Sequence, residues 1–197
     1  MSCVMNMSYV MKKIGFLILC GVIAGIIGCF ESEKKYDFLL NSEQGKVSLK
    51  DFEGKKLIVY FGFSYCPDVC PTTLALISNE LKKMKNNEIL LLFISLDPQR
   101  DKDIKATNEW LRYFYANSTA LLTQDENELA TLARNYGVIY KKVPLKDSAL
   151  EYSIAHSNEL FLFDSKGRLF QKISDLSQKS LHNALERFLM LDQQTNQ

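Results

Sequence analysis

The sequence predicts an α/β domain in which a mixed central sheet is flanked by helices. Three features carry this expectation: two near-continuous apolar runs of strand length, a helical stripe between them, and a turn-centred pair of strands near the C-terminus. The first run is Lys56 to Phe63 and the second Glu88 to Leu96. Runs apolar at nearly every position suit strands buried on both faces. Between them Leu74, Ile77, Leu81 and Met84 recur at helical spacing. Cys70-Pro71 opens that helix, because proline's fixed φ and missing N–H suit a first turn. Strand, helix, strand then reads as a parallel βαβ unit.

Two further helices follow. Asp103 to Tyr115 turns Ile104, Thr107, Leu111 and Phe114 inward, and Asp125 to Tyr136 has a stripe of Leu129, Leu132 and Tyr136. The second of these is punctuated at both ends, with Asp125 and Glu128 resembling a capping box and Gly137 at the left-handed cap position. Glu159 to Phe163 and Arg168 to Ile173 flank Asp164-Ser165-Lys166-Gly167, which predicts a β-hairpin. A last helix buries Leu181, Leu185, Phe188 and Leu189. Parallel units first and an antiparallel hairpin with a helix afterwards make the thioredoxin-like arrangement. It puts Cys66 and Cys70 where a strand's C-terminal end meets a helix.

With 197 residues, 47% of them hydrophobic, the chain suits one domain behind a targeting segment. A net charge of +1, from 24 basic and 23 acidic residues, provides no global field for nucleic acid, so no nucleic-acid partner is expected. Lys12 and Lys13 precede an apolar run from Ile14 to Ile27, closed by Gly28-Cys29-Phe30 and a polar stretch. That layout is a secretory signal over residues 1–29, and Ile26-Ile27-Gly28-Cys29 resembles a bacterial lipobox with Cys29 as the lipidated residue. An uncleaved anchor from Tyr9 to Phe30 is the other reading. Either predicts an extracytoplasmic, membrane-anchored domain of the bacterial cell envelope, with translation starting at Met1, Met7 or Met11. Residues 30–41 read as a tether and 42–197 as the thioredoxin-like domain.

Of the five cysteines, Cys3, Cys20 and Cys29 fall in the targeting region, leaving Cys66 and Cys70 in the domain. In an oxidising compartment such a pair can form a disulfide, hold a metal or cycle between redox states. Helix N-termini favour anions and lower a thiol's pKa, and thiolates are both metal ligands and nucleophiles. The chain has two histidines. His182 reads as a solvated surface residue on the last helix. His156 sits in a loop before the strand from Glu159, which a thioredoxin-like fold brings beside the cysteine turn. Two thiolates and one imidazole form a soft, low-coordinate set that suits copper, whereas structural zinc wants a fourth ligand. Asp68 reads as a solvated turn residue, and Asp97 with Arg100 as an ion pair that organises the loop after a strand.

The segment Phe63-Ser64-Tyr65-Cys66-Pro67-Asp68-Val69-Cys70-Pro71-Thr72-Thr73-Leu74 closely resembles the signature of the SCO/SenC family of copper-binding thioredoxin-like proteins. Ser95-Leu96-Asp97-Pro98-Gln99-Arg100-Asp101 and Tyr152 to Phe163 resemble two further segments of that family, the second carrying its ligand histidine. Ala155 departs from the pattern, since members often have an acidic residue there. The resemblance implies one copper, Cu(I) or Cu(II), on Cys66, Cys70 and His156, and a role in assembling a copper centre of cytochrome c oxidase. The implied partners are the oxidase's copper-bearing subunit and other periplasmic copper carriers or thiol reductants. A competing reading is a thiol-disulfide oxidoreductase that uses Cys66 and Cys70 as its redox pair and reduces the oxidase's copper-site cysteines. Against a conventional thioredoxin, three residues rather than two separate the cysteines, and Ile154 to Leu160 contains no proline.

Overall fold

The computed structural model describes residues 35–146 and 148–191. Strands β1 (Leu39–Ser42) and β2 (Gly45–Ser48) form an antiparallel hairpin, followed by a 3-10 turn at Leu49–Phe52. Strand β3 (Leu57–Gly62) leads into helix α1 (Val69–Lys83), then β4 (Leu90–Ser95), α2 (Ile104–Phe114), β5 (Ser118–Leu121) and α3 (Glu126–Tyr136). A hairpin of β6 (Tyr140–Pro144) and β7 (Tyr152–His156) precedes β8 (Leu160–Phe163), β9 (Leu169–Ile173) and α4 (Gln178–Met190).

Five strands make the central sheet in the order β5-β4-β3-β8-β9. β3, β4 and β5 run parallel, while β8 is antiparallel to β3 and to β9. Every residue of β3, β4 and β8 is buried, as unbroken apolar runs require. Side chains alternate across the sheet. Tyr60 therefore faces Phe93 and, behind it, Trp110 of α2, whereas Phe61 packs edge-on against Tyr136 of α3 with centroids 5.0 Å apart. Helices consequently cover both faces. A mixed sheet between helices is the fold class the sequence predicts.

The helix ends follow local chemistry. Asp103 and Asp125 accept backbone N–H groups as N-caps of α2 and α3, and Gly137 ends α3 at φ +69°, in the left-handed region where a side chain is costly. The expected reciprocal half of the Asp125 box is not made, because the Glu128 carboxylate instead accepts from Thr123 Oγ1.

Several expectations need correction. β1 takes up the last residues of the expected tether, because Phe38 and Leu40 bury their side chains in the core. Leu189 is only half-buried, and Ala184 joins Leu181, Leu185 and Phe188 on the buried face of α4. His182 is not simply solvated: its Nδ1 lies 2.9 Å from Oε2 of Glu80, a buried carboxylate on α1 that Lys83 also holds at 2.6 Å. Those partners, Lys83 first, hold the Glu80 carboxyl below the usual glutamate range. β1, β2, β5 and β6 lack the periodicity that announces strands, and β7, Tyr-Ser-Ile-Ala-His, alternates over only five residues. In β6, Lys141, Lys142 and Val143 are all exposed, so no burial pattern is written there.

Candidate metal centre

β3 brings the chain to Gly62, and a turn closed by Cys66 N–H on Phe63 O (3.2 Å) carries it to α1. Asp68 occupies the N-cap position, yet its side chain caps no backbone N–H and instead accepts from Thr72 Oγ1 at 3.3 Å. The cap acceptor is a sulfur: Cys70 N–H donates to Cys66 Sγ at 3.4 Å. A helix N-terminus leaves its first N–H groups without intrahelical partners, and this cysteine takes one of them. Asp68 is exposed, in line with the solvated turn residue the sequence suggests.

The two sulfurs are unlike. Cys66 is partly exposed and Cys70 is buried, and both are free thiols. A hydrogen bond from the Cys70 thiol, the Cys70 and Asp68 backbone N–H groups and the neighbouring imidazole pull the Cys66 pKa down to about 5. The anionic neighbour and burial push Cys70 the opposite way. The pair thus favours one thiolate at the surface and one protonated thiol beneath it.

His156 ends β7 rather than lying in a loop, paired with Tyr140 across the hairpin. Its Nδ1 is 3.0 Å from the Ser157 carbonyl, which can only accept, so Nδ1 carries a proton and Nε2 is the nitrogen turned toward the sulfurs. Nε2 sits 3.6 Å from Cys70 Sγ. Tyr60 and Phe63 stand edge-on to the ring, with centroids 6.5 and 6.0 Å away. Cys66 Sγ, Cys70 Sγ and a ring nitrogen of His156 all lie within 4.8 Å of one another. Two sulfurs and one imidazole so placed form a soft three-donor set, and the donor chemistry fits copper.

Two supports were not legible as such in the sequence. Asp101, buried, accepts from Ser64 N at 3.3 Å, from the Ser64 hydroxyl and from Ser95 Oγ at 2.6 Å, bracing the turn two residues before Cys66. Burial raises the Asp101 carboxyl, a desolvation cost that these donors oppose. Tyr152 Oη donates to Asp97 Oδ1 at 2.9 Å, and Arg100 Nε donates to Asp97 Oδ2, so the expected ion pair is present and extends to the histidine strand. Cys29 lies outside the described residues.

Residues 29–189 match the SCO1/SenC family. The chain belongs to that family. Its SCO1/SenC relatives include an SCO2-like protein of Rickettsia conorii, 32% identical over 151 residues, which are 74% of this chain and 73% of that protein. The copper-bound crystal structure of Arabidopsis thaliana ScoI superposes with a TM-score of 0.68 at 29% identity, covering 78% of this chain and 96% of that one. The fold reaches beyond the SCO1/SenC proteins: the thioredoxin domain of a Bacteroides vulgatus thiol-disulfide oxidoreductase aligns with a TM-score of 0.53 at 21% identity, over 77% of this chain and 92% of that one.

Proposed function

We propose that this SCO1/SenC protein binds one copper ion through Cys66, Cys70 and His156 and supports assembly of the copper centre of cytochrome c oxidase. The observation that carries the reading is the convergence of those three donors within 4.8 Å. The ion is cargo, and the oxidase's copper-bearing subunit is its recipient. A half-exposed sulfur gives the recipient's ligands a point of attack, while the buried sulfur and the imidazole keep hold during exchange. The domain works outside the cytoplasm, held to the membrane through Cys29 or an N-terminal helix.

A second reading is favoured by the Cys66 thiolate beside a buried Cys70. Attack of Cys66 on a partner disulfide and resolution by Cys70 would oxidise this pair to a disulfide and reduce the partner to two thiols. His156 separates the two readings, because exchange runs on the two sulfurs and the imidazole is only the least of the influences on the Cys66 thiolate. In a deletion strain, His156→Ala and Cys66→Ala are both expected to fail to restore oxidase activity, with added copper partly rescuing His156→Ala. Full restoration by His156→Ala, with Cys66→Ala and Cys70→Ala inactive, would establish thiol reduction instead.

A further inference from the structure

The donors arrive on two separate pieces of structure. Cys66 and Cys70 belong to the turn and helix that continue β3, whereas His156 comes on the β6–β7 hairpin, a two-stranded sheet of its own outside the five-stranded one. His156 itself pairs with neither β3 nor α1: Ser157 to Glu159 separate it from β8, whose Leu160 pairs with Tyr60 of β3, so side-chain contacts on the hairpin complete the placement of the imidazole. Residues two apart in a strand share a face. Tyr152, Ile154 and His156 are such a set, and buried Ile154 shows that their face is the inward one.

Arg100 grips that face. Its Nη1 donates to Tyr152 O at 3.2 Å, and its guanidinium carbon lies 4.0 Å from the Tyr152 ring centroid. The same group lies 5.2 Å from the ring of Tyr65, the neighbour of Cys66, and 5.7 Å from that of Phe63. Nη2 is buried without a hydrogen-bond acceptor, so π faces rather than oxygens surround part of this cation. Asp97 holds Nε from below and accepts from Tyr152 Oη, closing a three-residue ring of contacts between the loop after β4 and β7. Lys142 Nζ lies 3.6 Å from the Tyr152 ring centroid and 3.4 Å from Gln99 Oε1, adding to the same seam.

We propose that Arg100 is a positioning residue for the third copper ligand: by clasping Tyr152 while resting on Tyr65, it fixes His156 against the cysteine turn. The proposal rests on the copper reading of the site. The cysteine turn has a brace of its own in Asp101 and Ser64, so the loss of Arg100 falls on the imidazole and spares the two sulfurs.

The test uses Arg100→Lys, which keeps a cation for Asp97 but lacks the planar fork and stacking surface. A second variant, Tyr152→Phe, keeps the ring and loses only the hydroxyl's bond to Asp97. Purified protein is loaded with Cu(II) and with Cu(I), and imidazole nitrogen coupling to Cu(II) is read by electron-nuclear double resonance. Arg100→Lys is expected to weaken Cu(II) binding about tenfold or more, as loss of a ligand's support does, and to reduce the nitrogen coupling. Tyr152→Phe should move both in the same direction by less, and one equivalent of Cu(I) should still bind each variant. Nitrogen coupling and Cu(II) affinity at wild-type values in both variants would overturn the proposal, and if Arg100→Lys does not fold, Tyr152→Leu, which removes the ring that Arg100 clasps, would do so at wild-type values. Loss of Cu(I) binding from a folded variant would also overturn it, because the support would then be for the whole site. Wild-type protein that takes up no copper would overturn the copper reading itself.

Discussion

Cys66 and Cys70 are four residues apart and chemically opposite, and the difference comes from position rather than residue type. Cys66 receives hydrogen bonds at the exposed start of a helix, while Cys70 is buried beneath it and left with the proton. Because the Cys66 pKa is depressed to about 5, its thiolate predominates above that pH and is lost below it. Iodoacetamide labelling followed by peptide mass spectrometry should therefore find Cys66 modified at a rate nearly flat above about pH 6, whereas an ordinary thiol's rate climbs until about pH 8.5. Cys70 should stay unmodified in the native protein. A rate still rising steeply between about pH 7 and 9, or label chiefly on Cys70, would contradict this assignment of the thiolate. Copper ligation belongs to the same scale: Cys66→Ala or Cys70→Ala should each abolish tight binding, since one sulfur and an imidazole hold Cu(I) poorly. Metal analysis after dialysis checks it, and stoichiometric copper on the double variant would refute the site.

The strand-to-helix crossing of β3 and α1 is where the packing and the site constrain each other. Gly62 ends β3, and a Cβ there would meet Phe93 Cε2 at 2.8 Å and Cys70 Sγ at 3.0 Å. Glycine is thus required by close approach, since no left-handed φ is involved. Gly62→Ala should cost about 1–3 kcal/mol, the usual range for overpacking, and should displace the buried sulfur or the Phe93 ring. Urea unfolding measures the first effect and Cu(I) affinity the second. An unchanged midpoint would mean that the core yields more easily than its close packing suggests. The β6–β7 hairpin presents the opposite case. It lies outside the central sheet, so side chains such as Tyr152 and Ile154 hold it to the body. β6 is not legible because exposed Lys141 and Lys142 carry no alternation, and β7 and β5 are too short, at five and four residues, for their patterns to stand out.

For the whole molecule, the membrane attachment proposed above rests on Cys29 and the apolar run before it, and among the described residues no helix is long and apolar enough to cross a membrane. Cys29→Ser should abolish metabolic labelling by fatty acid and leave the precursor unprocessed; labelling unchanged in the variant would remove the lipid anchor and leave the anchoring helix as the alternative. The sequence by itself determined the buried βαβ unit, the four helices with caps at both ends of α3, the β8–β9 hairpin and the place of both cysteines, because each is written in periodicity, proline and cap residues within one local stretch. It also marked His156 as the third donor, through resemblance and a thioredoxin-like frame. Only the tertiary structure decided the strand order β5-β4-β3-β8-β9, the seating of His156 at the end of a strand, and its approach to Cys70 across 86 positions. The Asp101 brace and the Arg100–Tyr152 clasp belong with these. Such contacts take their strength from desolvation between segments far apart in the chain, and a charged residue read locally looks the same whether water or an aromatic ring will surround it.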